Sequence, residues 1–437
     1  MKFLKKHKSS DIITLLFTLF VILLPIINQY SIGAFTFVDL FLGVFLLIWS
    51  ISNKRIRFSG GFVFYGLFLL ITTIFGSLFY DSLSSFGFVL KIVKCFLTIF
   101  VFYILGSSFF DCSFGYNVYS KIIVVITVLI YLQYIVFLIS GRGSSLLIPG
   151  LTLNYMEGLK SDSLIITMTN SAFFRPATFF IEPAHQAEYM IPWLTLSLFM
   201  NTKSFSLKKI IWNGVVTLAI CLGASVTGII CSIVCWSLYL LLLGFKSLSS
   251  LKMIFRLIIL IGLALLVINV VISLPSVQDQ IQRKLNSLDS LTTASSFTLR
   301  LLRGYYCFEQ VDIYRKIFGC GFNGFYYYYE TYDISTIYDS NLYYVSYMSG
   351  LFSALCNIGF VGFTLLFGMF VYKTIKSKRI VCFALLAMLL LLLLGSDLFE
   401  APVYFIVVLF LLSLSVNSEK KEAYSKNANL HYYSCFQ

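Results

Sequence analysis

Residues 380–416 read IVCFALLAMLLLLLLGSDLFEAPVYFIVVLFLLSLSV, two apolar runs separated by the short polar stretch 396–402. Each run is close to the length of apolar sequence that crosses a bilayer as a helix. A reversal between two such helices needs only a few residues, and Asp397 and Glu400 lie in this one. The stretch therefore predicts a hairpin of two membrane helices.

The same pattern recurs along the whole chain. Of its 437 residues, 59% are hydrophobic and 12% are charged, and the mean hydropathy is +0.90. Soluble domains carry about 25% charged residues, so this composition excludes a soluble globular protein. The sequence predicts an all-α polytopic integral membrane protein with about twelve transmembrane helices, within a range of ten to thirteen.

The predicted helices fall into groups separated by two unusually long loops. In chain order we expect an N-terminal five-span region (1–139), a first long outer loop (140–186), a central four-span region (187–273), a second long outer loop with an amphipathic helix (274–341), a three-span region (342–416) and a cytoplasmic tail (417–437). Helical hairpins need short connections, and loops of this length usually carry function.

The distribution of basic residues predicts the orientation. With twelve spans, 21 of the 32 Lys and Arg residues fall on the side of the N-terminus, so both termini are expected in the cytoplasm. The net charge of +13 thus follows from topology signals in short loops, and nucleic-acid binding is a poor explanation for it. Six of the ten cysteines lie inside apolar runs, and no spacing typical of metal ligands occurs.

A first group of polar residues lies where the first long loop meets the sixth predicted span. Pro183 suits the first turn of a helix, which places Glu182 at its cap. Glu182 and His185 then share a helix face and could act as an acid–base pair, while the helix N-terminus and nearby Arg175 favour an anion such as phosphate. The alternative is an interfacial cap with amphipathic anchors and no chemistry.

A second group lies in the second long loop, where residues 295–313 have the periodicity of an amphipathic helix. Arg300 and Arg303 present two guanidinium forks one turn apart, which suit the oxygens of a diphosphate. The alternative is that they contact lipid headgroups.

The sequence GCGFNG at 319–324 has the spacing of a dinucleotide-binding loop but lacks the required βαβ context. Gly319 and Gly321 could let the backbone approach a ligand, or they could simply form a turn. Cys307 and Cys320 could pair, which the sequence leaves open. Asp397 and Glu400 could face the same cavity, but they are more simply explained as solvated turn residues. Asp39 is a lesser candidate in the second span.

The segment Arg175-Pro-x5-Glu182-Pro183-x-His185, set in a long outer loop ahead of a span, resembles bacterial O-antigen and capsular polysaccharide polymerases of the O-antigen ligase superfamily. The resemblance extends to the number of spans, to a second long outer loop and to the glycines Gly359 and Gly362 in the span that follows it.

This resemblance implies a metal-independent membrane glycosyltransferase without cofactors in the bacterial cytoplasmic (inner) membrane. It would join polyprenyl-diphosphate-linked oligosaccharide repeat units at the outer face, with a chain-length regulator and a flippase as neighbours in the same membrane. Arg175, Arg300 and Arg303 would bind the diphosphate and stabilise its developing charge. Glu182 or His185 would act as the general base.

Two alternatives to a polymerase remain at this level. An O-antigen ligase would transfer finished polymer to an acceptor lipid, but such ligases carry a histidine in the second long loop, and this chain has only His7, His185 and His431. A lipid-linked oligosaccharide flippase would show two similar halves and ionisable residues at mid-membrane, and neither is evident.

Overall fold

The computed structural model describes residues 9–32, 35–51, 59–80, 83–153, 174–200, 206–247, 296–332 and 348–416. Within these ranges the chain is mainly helical. In chain order the helices are α1 (Ser9–Ile27), α2 (Phe37–Ile51), α3 (Gly60–Ser77), α4 (Ser85–Phe109), α5 (Cys112–Ser140), α6 (Pro183–Met200), α7 (Leu207–Leu222), α8 (Val226–Ser247), α9 (Ser296–Gln310), α10 (Ile313–Phe318), α11 (Phe325–Thr331), α12 (Gly350–Ser377), α13 (Ile380–Gly395) and α14, which covers Pro402–Val416.

Among the described residues, four helices, α3, α4, α5 and α12, are long and apolar enough to cross a membrane. Five more, α1, α2, α8, α13 and α14, contain shorter apolar segments. The chain is therefore an α-helical, membrane-embedded protein. Eleven of the predicted spans coincide with helices, whereas the ninth, at 254–273, lies outside the described residues.

The long loops are described only in part. Residues 154–173 of the first loop, and residues 274–295 and 333–341 of the second, lie outside the described ranges, so the domain boundaries stay predictions. The amphipathic helix predicted for 295–313 is α9, which ends at Gln310, three residues before the predicted end. Its basic side packs inward, since Arg303 and Cys307 are buried while Tyr305 is exposed.

A small antiparallel sheet, which the sequence did not predict, closes one end of the bundle. It contains β1 (Tyr30–Ile32), β2 (Phe35–Thr36) and β3 (Thr152–Leu153) in the order β2-β1-β3. Tyr30 pairs with Leu153, and its hydroxyl accepts a hydrogen bond from the Ile148 backbone N–H at 2.9 Å. The sheet thereby joins the α1–α2 connection to the chain beyond α5.

Helix α6 occupies the centre of the bundle and is buried along almost its whole length. The Tyr189 hydroxyl donates to the Ile22 carbonyl of α1 at 3.0 Å, and Trp193 Nε1 donates to Ser120 Oγ of α5 at 2.9 Å. Because protein surrounds α6, its polar side chains avoid the lipid, which explains why this helix is less apolar than its neighbours.

Candidate functional site

The N-terminal end of α6 carries the first group of residues predicted from the sequence. The helix begins at Pro183, as its position predicted, and the Gln186 backbone N–H donates to the Glu182 carbonyl at 3.3 Å. Glu182 and His185 are both half-buried. The charges of both side chains act on the carboxyl of Glu188, which lies one turn further along the helix.

Glu188 is a functional candidate that the sequence analysis missed. It is 4% exposed and lies within electrostatic range of Arg300 on α9 as well as of His185. The available signal was a carboxylate three residues after His185 inside an otherwise apolar helix, because carboxylates are costly there and are usually functional. The proximity of Glu188 to Arg300 results from tertiary packing and could not be read from the sequence.

Asp397 lies in the turn between α13 and α14. Asp397 is an exposed residue, yet the protein around its carboxyl raises the pKa of this group to about 7. Desolvation is the main cause of this increase, Arg300 opposes it, and Glu188 adds to it. The Ser353 hydroxyl of α12 also reaches this carboxyl. Asp397 is therefore an accessible group in a largely enclosed position.

These observations define a carboxylate–arginine cluster, consisting of Glu182, His185, Glu188, Arg300 and Asp397. Two backbone hydrogen bonds hold its parts together: Ser349 N–H donates to the Arg300 carbonyl at 3.1 Å, and Gly350 N–H donates to the Ser396 carbonyl at 2.8 Å. Ser349 Oγ is buried and has no hydrogen-bond partner among the described residues. Such a group is available to a ligand oxygen or a water.

The segment that leads into the cluster packs beside α5, below the end of that helix. The Thr178 backbone N–H donates to Gln133 Oε1 at 3.0 Å, and the Thr178 hydroxyl donates to Gln186 Oε1 at 2.9 Å. Gln133 precedes the last residue of α5 by seven positions, which corresponds to roughly 10 Å along a helix. The segment 174–182, which leads into Glu182, therefore lies within the helical bundle and not above it.

The remaining predicted arginines occupy different environments. Arg175 donates from Nε to the Gly223 carbonyl and from a terminal nitrogen to the Ala224 carbonyl, each at 3.0 Å. Burial lowers the pKa of Arg175, and the nearby Glu182 charge opposes that change. Arg303 is buried on α9, one turn beyond Arg300, beside Cys307. Binding of a diphosphate by Arg175 and Arg303 stays a prediction.

The glycines Gly319 and Gly321 lie in a turn that packs into a break in α12. At Gly359 the helix leaves helical geometry, with φ 65° and ψ 177°. The Cys320 N–H donates to the Cys356 carbonyl at 2.9 Å, and the Gly321 N–H donates to the Asn357 carbonyl at 2.8 Å. The turn therefore binds the backbone groups that the break leaves free.

We call residues 319–324 the glycine turn. Gly319 has φ 87°, and a Cβ added there would lie 2.3 Å from the Asn357 carbonyl oxygen. Gly321 approaches α3 in the same way, because a Cβ there would lie 2.6 Å from the Thr73 Cα. Both glycines permit close contact between backbones of the same chain. An approach of this backbone to a ligand stays a prediction. Cys307 and Cys320 are free thiols, both buried.

Two further acidic residues have partners or positions that the sequence did not reveal. Asp39 pairs with Lys94 of α4 at 2.9 Å and accepts a hydrogen bond from the Thr36 N–H at the start of α2. Glu400 was expected to be a solvated turn residue, and this expectation is wrong. Its Oε1 is buried without a hydrogen-bond partner among the described residues, and burial raises the pKa of Glu400 to about 8.

Within the described part of the chain, no group of His, Cys, Asp and Glu residues is arranged to hold a metal ion. The chemistry available at the cluster is proton transfer by carboxyl groups and binding of anions by Arg300. Compared with known proteins, the chain matches no protein-family model and no curated protein sequence. The function must therefore be argued from these residues and from the sequence resemblance.

Proposed function

We propose that this protein is a membrane glycosyltransferase that joins polyprenyl-diphosphate-linked oligosaccharide repeat units into a polysaccharide. The observation that carries the proposal is the carboxylate–arginine cluster, where the charge of Arg300 acts on Glu188 and on the accessible Asp397 at one end of the bundle. A guanidinium can bind a diphosphate, and an adjacent carboxylate can remove a proton from an attacking hydroxyl. Both groups would serve glycosyl transfer from a lipid diphosphate.

We also propose the number of membrane crossings and their orientation, which the helices alone do not define. The chain would cross the bacterial cytoplasmic membrane about twelve times with both termini in the cytoplasm, as the basic residues predict. The cluster would then open toward the outer face, where the donor and acceptor lipids carry their sugars.

In the reaction, a hydroxyl of the acceptor sugar attacks the anomeric carbon of the donor. The bond between that carbon and the diphosphate oxygen breaks, a glycosidic bond forms, and the diphosphate leaves with the electron pair. Arg300 would stabilise the charge that develops on the leaving diphosphate. The hydroxyl proton passes to a carboxylate of the cluster.

Among the candidate bases, the geometry favours Asp397. It is the exposed carboxyl of the cluster, and a pKa near 7 suits a base that must lose its proton and accept another at neutral pH. Glu188 is buried and would act through its charge on Arg300 and Asp397. Glu182 and His185, the bases predicted from the sequence, would then orient the acceptor.

The test is a polymerisation assay with the full-length protein in nanodiscs. Lipid-linked oligosaccharides extracted from a strain that lacks this gene serve as the substrate, and polymer length is read on a gel. We expect longer lipid-linked glycans and release of free polyprenyl diphosphate. Transport of the same lipids across proteoliposomes without any new glycosidic bond would refute the proposal in favour of a flippase, and transfer only to an added acceptor lipid would indicate a ligase.

A further inference from the structure

Glu400 shares a turn with Asp397 but belongs to a different part of the bundle. Asp397 lies in the carboxylate–arginine cluster, whereas Glu400 is within electrostatic range of Tyr65 on α3 and Tyr103 on α4. Tyr65 precedes the last residue of α3 by twelve positions, which corresponds to roughly 18 Å along a helix. Glu400 therefore acts on groups deep inside the bundle, where an ionisable side chain is costly and usually functional.

We call Glu400 and three tyrosines, Tyr65, Tyr103 and Tyr404, the Glu400 site. All three tyrosines are fully buried, and Glu400 is within electrostatic range of each of them. The hydroxyls of Tyr103 and Tyr404 hydrogen-bond to each other at 3.1 Å. The Tyr65 hydroxyl and Glu400 Oε1 are also buried, but neither has a hydrogen-bond partner among the described residues. Two unpaired polar groups in range of each other indicate that a ligand or an ion is their partner.

The backbone departs from ordinary geometry on two sides of the Glu400 site. Residues Ile99–Leu105 of α4, which include Tyr103, form a π-helix. Glu400 itself has φ 58°, a left-handed conformation that a residue with a side chain rarely adopts. Short π-helical segments and left-handed residues other than glycine both occur preferentially at functional sites. Two backbone deviations thus mark the same place as the unpaired oxygen atoms.

The charge of the Glu400 site determines which ligand it fits. The four side chains offer only oxygen atoms, from one carboxylate and three hydroxyls. Among the described residues no basic group acts on Glu400, and the charge of Lys91 reaches only the neighbouring thiol of Cys95. A buried carboxylate without a positive partner is unfavourable. We propose that the Glu400 site binds a single alkali cation such as sodium.

One carboxylate balances one positive charge, so the site suits a monovalent ion better than Ca²⁺, whose sites combine several charged ligands. Oxygen atoms held by the protein can replace the hydration shell of such an ion inside a membrane. The bound ion would neutralise Glu400 and hold the turn 396–401 against α3 and α4. The proposal does not depend on the polymerase function, because ion binding is measured without any substrate.

The first experiment measures binding of radioactive sodium to the purified full-length protein at pH 9, above the pKa of about 8 that burial gives Glu400. We expect saturable binding that unlabelled sodium displaces and the organic cation N-methylglucamine does not. Glu400→Gln should weaken this binding by about tenfold or more, because an amide cannot balance the charge of the ion. Glu309→Gln, the same change at an exposed position of α9, should bind as the wild type does. No saturable binding to the wild type, or equal binding to both variants, would overturn the proposal.

Thermal unfolding gives a second readout. At pH 9 and equal ionic strength, the wild type should unfold at a higher temperature in sodium chloride than in N-methylglucamine chloride, because an ion that binds only the folded protein stabilises it. Tyr65→Phe keeps the carboxylate but removes one hydroxyl, so it should reduce this difference, and it serves if Glu400→Gln does not fold. Tyr131→Phe is its control, since the Tyr131 hydroxyl donates to the Val215 carbonyl outside the site. Equal melting temperatures of the wild type in the two salts would overturn the proposal.

Discussion

Two regions meet at the N-terminal half of α12, and they differ in whether their polar groups have hydrogen-bond partners. At the glycine turn, the carbonyls of Cys356 and Asn357 both accept backbone hydrogen bonds. The protein itself therefore supplies partners for the carbonyls at the break in α12. At the carboxylate–arginine cluster, Asp397 is accessible with a raised pKa, and Ser349 Oγ has no partner among the described residues. Unsatisfied groups mark where a ligand is expected, whereas a glycine-rich sequence does not.

The largest expected effect tests the structural half of this comparison. Gly319→Ala should destabilise the protein by about 3 kcal/mol or more, because the new Cβ collides with the Asn357 carbonyl and φ is positive there. Thermal unfolding in detergent measures the loss. Gly368→Ala on α12 is the control, since a Cβ there meets nothing within 4 Å. Equal stability of the two variants would mean that the glycine turn does not pack into α12.

The next effect tests the chemical half. Asp397→Asn should reduce turnover by about 10²-fold, the usual contribution of a general base, with little loss of stability. Asp312→Asn is the matched control, because Asp312 caps α10 and pairs with Arg315 beside the glycine turn. The control should keep its turnover. If Asp397→Asn polymerises normally while Glu182→Gln or His185→Ala does not, the base predicted from the sequence is the correct one.

A smaller effect concerns the arginines. Arg300→Lys should lower turnover by about tenfold, because lysine keeps the charge but loses the planar fork that binds two phosphate oxygens. Arg303→Lys serves as a comparison on the same helix. Polymer length is read with expression matched, and wild-type polymer from both variants would disprove diphosphate recognition by this pair.

The pH dependence of turnover gives a more sensitive test. A base with a pKa of about 7 makes kcat/KM rise as pH increases through 7, because the carboxyl must be ionised to accept a proton. Arg300 lowers the pKa of Asp397, so Arg300→Gln should move this rise to higher pH in its residual activity. A rise at unchanged pH in that variant would show that Arg300 and Asp397 do not interact.

The smallest effect involves Glu400. The pKa of Glu400 is about 8 in the folded protein, whereas the ordinary value for a glutamate is 4.5. The folded protein therefore binds this proton more tightly than the unfolded chain does. Stability should therefore decrease as pH rises from about 5 to 8 and level off above that range. Glu400→Gln should flatten this dependence, as measured by the melting temperature between pH 5 and 9. A profile identical to that of the wild type would place the effect in another group.

Much of the fold could be predicted from apolar runs, because a helix that crosses lipid needs a minimum length of apolar sequence. The beginning of α6 could be predicted as well, since Pro183 has a position-specific preference. The break at Gly359 could not, because a glycine in an apolar run is compatible with an unbroken helix. Whether the break occurs depends on a turn some forty residues earlier in the sequence.

The candidate site was predictable only in part. The sequence placed Glu182 and His185 on one helix face, and the structure brings Arg300 to the same end of that helix. It gave no reason to join Glu188 to Asp397, which are separated by more than 200 residues. It also treated Glu400 as solvated, because a local pattern of turn residues does not reveal that the turn folds into the bundle.

The break in α12 has a consequence for how the protein is made. In an unbroken membrane helix the carbonyls accept hydrogen bonds from N–H groups of the same helix. The carbonyls of Cys356 and Asn357 instead accept hydrogen bonds from N–H groups of the glycine turn. The turn also donates the Phe322 N–H to Thr73 Oγ1 of α3 at 2.8 Å, so three separate pieces of chain must be present together. The ribosome synthesises α3 and the glycine turn before α12. Both are therefore present when α12 emerges, and the broken helix can then complete its insertion.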